Sequence, residues 1–293
     1  MTHEIYTCLW FDTQAEEAAR FYTSIFENSI INYKNYYTKE GFDIHHKEAG
    51  SVLTVNFQIG DLKFVALNGG PEFKFSQANS FFVNLDTESE IDRIWERLSE
   101  GNSKVFMPLD YYHWSKKYGW IRDKYGLSWQ LNLTGTPQKI TPFLMFDGAE
   151  LGKGREAIDF YTTVFPDSQL DNMVFYGQEN PDYEGLIVHS VFNLSGQEFM
   201  VMDSGLPNNI IFNEAVSYMV YCQSQKEIDY FWDKLTEGGL EGQCGWLKDK
   251  FGVSWQVAPS ILPELLNDPE RAGRVIQAFM PMKKFDINTI INA

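Results

Sequence analysis

The chain has 293 residues, with 24 Lys and Arg against 40 Asp and Glu, a formal net charge of −16 with His neutral. That charge repels phosphate backbones and anionic membranes, which argues against nucleic acid or a membrane surface as a partner. Hydrophobic content of 44% and aromatic content of 16% belong to a folded chain long enough for two cores. No run approaches the roughly 18 apolar residues of a membrane span, and Met1-Thr2-His3-Glu4 lacks a basic leader, so the expected location is the cytoplasm.

The first predicted element is a strand over Ile5–Phe11. A helix follows from Ala15 to Phe26, where Ala18, Phe21, Tyr22 and Ile25 recur at helical spacing. Three strands come next, near Ser29–Tyr37, Ser51–Ile59 and Leu62–Asn68, the last two joined across Gly60-Asp61. The order then repeats: strand Ser80–Leu85, helix Glu88–Leu98 with Ile91, Ile94, Trp95 and Leu98 on one face, and strands near Val105, Trp120 and Ser128. Two βαβββ units therefore precede the turn residues Thr134-Gly135-Thr136-Pro137.

The second half rewrites the first. Phe21-Tyr22-Thr23 returns as Phe160-Tyr161-Thr162, Glu90-Ile91-Asp92 as Glu227-Ile228-Asp229, and Gly119 to Gln130 as Gly245 to Gln256. Changes in offset locate about four extra residues near Glu150 to Gly154 and a deletion of eleven between Gly238 and Gly245. Both belong in loops or edge strands. The reading is α+β: domains 1–136 and 137–293, each two βαβββ modules in a curved, mostly antiparallel sheet, the second with a helical tail. Asp268-Pro269 opens that tail and Pro281 interrupts it, which marks it as a packing appendage.

Paired βαβββ modules resemble the vicinal oxygen chelate superfamily of glyoxalase I, bleomycin resistance proteins and extradiol dioxygenases. Cys8-Leu9-Trp10-Phe11-Asp12 with Phe21-Tyr22, Asn68-Gly69-Gly70-Pro71, Phe212-Asn213-Glu214-Ala215 and Gly242-Gln243-Cys244-Gly245-Trp246 are similar to its PhnB-like branch. Members of that branch often carry the label 3-demethylubiquinone-9 3-methyltransferase. The resemblance implies ligand positions on the concave face of each sheet. The first-strand His position falls on Thr7 and Pro142, the next on Ser80 and Ser217, and the last-strand Glu position on Gln130 and Gln256. A fourth position lies near Asn68 and Asp203. Hydroxyls and amides are poor ligands for transition metals, so the expectation is a metal-free, cofactor-free pocket lined by Thr7, Asn68, Ser80, Gln130, Asp203, Ser217 and Gln256.

Other candidates read as structural. His45 and His46 fall in a polar stretch, His113 in the segment peculiar to the first copy, His189 within a strand, and His3 at the terminus. The three cysteines, Cys8, Cys222 and Cys244, form no CxxC and read as thiols without a disulfide framework; Cys244, in the small-residue segment Gly242-Gln243-Cys244-Gly245, is the most tempting nucleophile, but no His lies near it in sequence and it reads as structural. Asp123-Lys124-Tyr125-Gly126 and Asp249-Lys250-Phe251-Gly252 resemble the superfamily's hairpin turns and read as turn chemistry. Gly148, Gly152 and Gly154 are the nearest approach to a dinucleotide-type loop, but no alternating βαβ pattern follows them, and they read as a flexible loop.

What the resemblance implies is a small-molecule-binding protein, similar in kind to bleomycin resistance proteins, whose tandem copies form an intrachain pseudo-dimer; a further homodimer is left open. The alternatives are a divalent-metal lyase, isomerase or dioxygenase using Asp203, His113 or His189, and a structural protein whose pockets have closed. The methyltransferase label ranks last.

Overall fold

A computed structural model describes residues 3–178, 180–204 and 210–293. The first module comprises β1 (Ile5–Phe11), α1 (Ala15–Ile25), β2 (Ser29–Tyr36), a short α2 (Phe42–His45), β3 (Val52–Ile59) and β4 (Leu62–Asn68). The second contains β5 (Asn79–Leu85), α3 (Glu88–Leu98), β6 (Lys104–Tyr112), β7 (Ser115–Arg122) and β8 (Ser128–Leu133). The third runs through β9 (Lys139–Phe146), α4 (Gly154–Val164), β10 (Gln169–Phe175), β11 (Ile187–Leu194) and β12 (Gln197–Asp203). The fourth has β13 (Val216–Cys222), α5 (Gln225–Leu235), β14 (Leu240–Glu241), β15 (Trp246–Lys248) and β16 (Ser254–Pro259). A tail of α6 (Leu262–Asn267), α7 (Ala272–Phe279) and α8 (Ile287–Ile291) follows. The eleven-residue difference between the copies is the long β6–β7 hairpin, reduced in the second copy to β14 and β15.

The helices start where the sequence supplies acceptors. Thr87 and Ser224 take the amides of Glu90 and Glu227, while those glutamates accept from Asp86 and Gln223, a reciprocal cap that satisfies exposed donors at the first turns of α3 and α5. The ends of β4 and β12 serve α1 and α4. Asn68 Oδ1 accepts from the Ala15 amide at 2.8 Å, and the Asp203 carboxylate accepts from Gly152, Gly154 and Ile187.

Each sheet has eight strands, in the orders β14-β15-β16-β13-β1-β4-β3-β2 and β10-β11-β12-β9-β5-β8-β7-β6. Within each module the first and last strands run parallel, and the other neighbours run antiparallel. The sheets do not follow the repeat boundary near residue 136. One sheet, A, joins the first and fourth modules through β1 and β13, and the other, B, joins the second and third through β5 and β9. Among the described residues no helix is long and apolar enough to cross a membrane.

One core lies between the two sheets. Phe64 of sheet A meets Phe81 of sheet B edge to face at 5.4 Å, and Phe199 of sheet B meets Tyr218 of sheet A at 5.2 Å. Tyr218 also donates across the gap to Asn79. Two buried carboxylates add to this. Asp123, in the β7–β8 turn, accepts from the Tyr22 hydroxyl of α1 at 2.8 Å, the Trp129 indole at 2.9 Å and the amides of Tyr125 and Leu127. Asp249 repeats the set with Tyr161, Trp255, Phe251 and Val253. Both are more than turn residues, because each ties a turn of one sheet to a helix from a module of the other.

Candidate functional site

Alternation along each strand separates an inner face, turned to the shared core, from an outer face. On β1, Ile5, Leu9 and Phe11 join the core, which places Thr7 inward; its Oγ1 is buried without a hydrogen-bond partner. Cys8 therefore takes the outer position, opposite Ser217. On β9 the core residues Leu144 and Phe146 place Pro142 inward and Phe143 outward, opposite Ser80. The first-strand positions assigned from sequence to Thr7 and Pro142 are thus displaced by one residue, which reverses their face.

Ser80, Gln130, Ser217 and Gln256 do lie on outer faces, two in each sheet. In sheet B, Gln130 Nε2 donates to Ser80 Oγ at 2.8 Å and its Oε1 accepts from the Tyr118 hydroxyl at 2.6 Å. In sheet A, Gln256 donates to Ser217 at 2.9 Å, with the Cys8 thiol interacting with both. Asn68 and Asp203 do not join either group. They face inward, and their polar atoms are committed to the starts of α1 and α4 and to neighbouring strands. Burial pushes the Asp203 carboxyl above its ordinary range, against the pull of its three amides.

A chelated divalent ion does not fit these donors. The outer positions offer a thiol, hydroxyls, amides and the hydrocarbon Phe143; the amides are already bonded to the hydroxyls, and burial pushes the Cys8 thiol up to about 11. Among the described residues no three His, Cys, Asp or Glu side chains gather as a metal cluster. Cys244 is held structurally: its amide donates to the Met282 carbonyl, and burial pushes its thiol up to about 11. The glycines of the candidate nucleotide loop are held too, since two of their amides are bound by Asp203.

The sheets differ in what covers the outer face. In sheet A the tail crosses it. Asn267 of α6 accepts from Asn35, on the edge strand β2, and the carbonyls of Met282 and Lys283 accept from Cys244 and Gly245 at the opposite edge. Leu265, Val275 and Phe285 carry the core onto that face. In sheet B the outer face has its own apolar patch, in which Phe143, Met145 and Met200 are buried and Phe82, Trp120, Val191 and Met202 are half-buried. The β6–β7 hairpin rims it with Tyr112 stacked on Trp114, which meets Tyr118 edge to face. Gln130, Ser80 and Tyr118 are the polar group on this patch. Sequence reasoning missed Tyr118, Trp120, Phe143 and Met202; the aromatic-rich hairpin insertion was the available signal.

His189 of β11 sits beside Phe82, with ring centroids 6.5 Å apart. Burial lowers its pKa below 6.5, and the charge of Glu198 only partly opposes that. Between the folded and unfolded values the unfolded chain binds more protons, so stability rises with pH. The contribution is complete above 6.5 and is lost as pH falls below it. An NMR titration should place the His189 ring below the unfolded-chain value, and His189→Gln should flatten this part of the stability profile.

The family model described as 3-demethylubiquinone-9 3-methyltransferase matches residues 3–132 and again 138–258. A structure titled as a putative 3-demethylubiquinone-9 3-methyltransferase, PhnB protein, from Bacillus cereus is 37% identical over 44% of this chain and 98% of its own, with a TM-score of 0.40. Glyoxalase I from Zea mays is 12% identical over 87% of this chain and 92% of its own, with a TM-score of 0.54, a likeness of fold. A putative dioxygenase from Bacillus subtilis is 10% identical over 87% and 84%, with a TM-score of 0.48. Comparison with curated proteins gives no match.

Proposed function

We propose a function from one premise: the chain belongs to the 3-demethylubiquinone-9 3-methyltransferase family. It is a glyoxalase-like small-molecule-binding protein. The finer reading is that it works without a metal, in the cytoplasm, and takes its ligand on the outer face of sheet B. The observation that supports this is the buried Ser80–Gln130–Tyr118 group, set in an aromatic and thioether patch whose floor is buried and whose margin, Phe82, Trp120, Val191 and Met202, is half-buried. A few fixed polar groups on an apolar floor are what orient a small ligand. Sheet A offers no equal, because its own tail lies there.

The chemistry named in the family's description needs a methyl donor held by the protein. A sheet with two parallel pairs among antiparallel neighbours has no doubly wound crevice, and the glycine-rich segment has lent amides to Asp203. Binding alone requires neither. Three unpaired thiols, Cys8, Cys222 and Cys244, accord with a reducing compartment.

Two measurements test the reading. Elemental analysis of protein grown in metal-supplemented medium should find substoichiometric metal; a retained equivalent overturns metal independence. In a fragment screen read by methyl NMR, hits should shift Met200 and Met202, and Gln130→Leu should abolish those shifts. A screen whose hits leave both methyl groups unmoved overturns the site.

A further inference from the structure

We infer a second ligand site, for a small planar organic anion, in a cavity of about 330 Å³ between the end of β1, the loop after β4 and the β7–β8 turn. Its walls include Trp10, Phe73 and Tyr125, and its charged lining is Lys74, Arg122 and Asp12. Asp12 lies 4.0 Å from Lys47. Among the described residues, neither Lys74 nor Arg122 has a carboxylate within ion-pairing distance, although acidic residues far outnumber basic ones in the chain. Nε of Arg122 is buried with no hydrogen-bond partner. That Nε lacks the acceptor a buried arginine N–H ordinarily finds.

The internal repeat supplies a control. Arg122 corresponds to Lys248, which is paired with Glu214 at 3.0 Å. Gln77 stands where the second copy has Glu214, and Lys74 where it has Ile211. The same scaffold therefore neutralises its cation in one copy and, among the described residues, leaves two cations without an ion pair beside aromatic rings in the other. The correspondence is structural as well as sequential: Asn213 donates to the Lys74 carbonyl, and Ser76 to that of Ile211. A wider cleft of about 1050 Å³ runs past the β3–β4 and β11–β12 turns, but its lysines Lys63 and Lys139 are spent on Glu4 and Glu198.

A flat aromatic carboxylate fits the first cavity. Its ring would lie among Trp10, Phe73 and Tyr125 and its carboxylate against Arg122, an arrangement in which the planar fork can donate twice. This cavity is separate from the Gln130 site, so its failure leaves that proposal standing.

The test uses the full chain, with 2-naphthoate and its neutral amide as probes, by calorimetry and tryptophan fluorescence. Naphthoate should bind saturably at one site, about tenfold or more tighter than the amide. Arg122→Gln should bring the two probes level. Gln77→Glu, which installs the second copy's neutralising carboxylate, should do the same without removing the arginine. Lys248→Gln should leave binding unchanged. The inference is overturned if naphthoate does not saturate up to about 10 mM, if both probes bind alike to the parent, or if Gln77→Glu and Arg122→Gln bind naphthoate as the parent does.

Discussion

Replacing Asp123 or Asp249 by Ala should lower the melting temperature by on the order of 10 °C, through a loss of about 3–5 kcal/mol. Each carboxylate is the common acceptor for a tyrosine hydroxyl, an indole N–H and two amides. Alanine leaves all four donors facing a dry cavity, since both aspartates are 3% exposed or less. Tyr22→Phe and Tyr161→Phe remove only the inter-sheet bond and should cost about 1 kcal/mol each. Differential scanning calorimetry of the four variants orders them. If the alanine variants melt with the parent, these carboxylates do not tie the sheets together.

The second large effect concerns the tail. Val275 of α7 is fully buried, and Val275→Asp sets an unpaired carboxylate in that contact, at a loss of about 3–5 kcal/mol. The tail should detach from sheet A and uncover the outer face of β1. Cys8 is 2% exposed in the intact chain, and its raised pKa keeps it a thiol, so alkylation by iodoacetamide at neutral pH should be slow. In Val275→Asp, peptide mass spectrometry should find Cys8 modified much faster, while Cys222, at 0% exposure on the inner side, stays protected. Equal modification of both cysteines would mean global unfolding, and none would mean that the tail does not shield Cys8.

Much of the architecture was legible. Helices α1, α3, α4 and α5 repeat an apolar spacing that only a helix satisfies, and the copied segments placed four modules in order. The register of β1 was not legible. Ile5-Tyr6-Thr7-Cys8-Leu9-Trp10-Phe11 has large or apolar side chains on both faces, because one face meets the core while on the other Tyr6 packs on Tyr221 and Trp10 on Phe73 and Trp246, so alternation carries no sign. Asn68 and Asp203 read as pocket residues because the resemblance puts a ligand position near the ends of their strands, yet a helix start needs an acceptor at that point. The work of Asp123 and Asp249 was hidden by distance: their tyrosine partners lie 101 and 88 residues away. The tail was expected to pack, and it does; that it covers the outer face of one sheet and leaves that of the other could not be read from a repeat in which both copies look equivalent.

The joining of first to fourth module sets a timetable for synthesis. As the chain leaves the ribosome, β1 has β4 on one side, but its other edge stays bare until residues 216–220 emerge to pair with it. The middle sheet has no such wait, since β5 and β9 are separated only by the rest of their neighbouring modules. Sheet B can close first and present an inner face on which sheet A assembles last, its edge guarded in the meantime by nothing but its neighbours. A pause or truncation late in translation therefore endangers the earliest strand made.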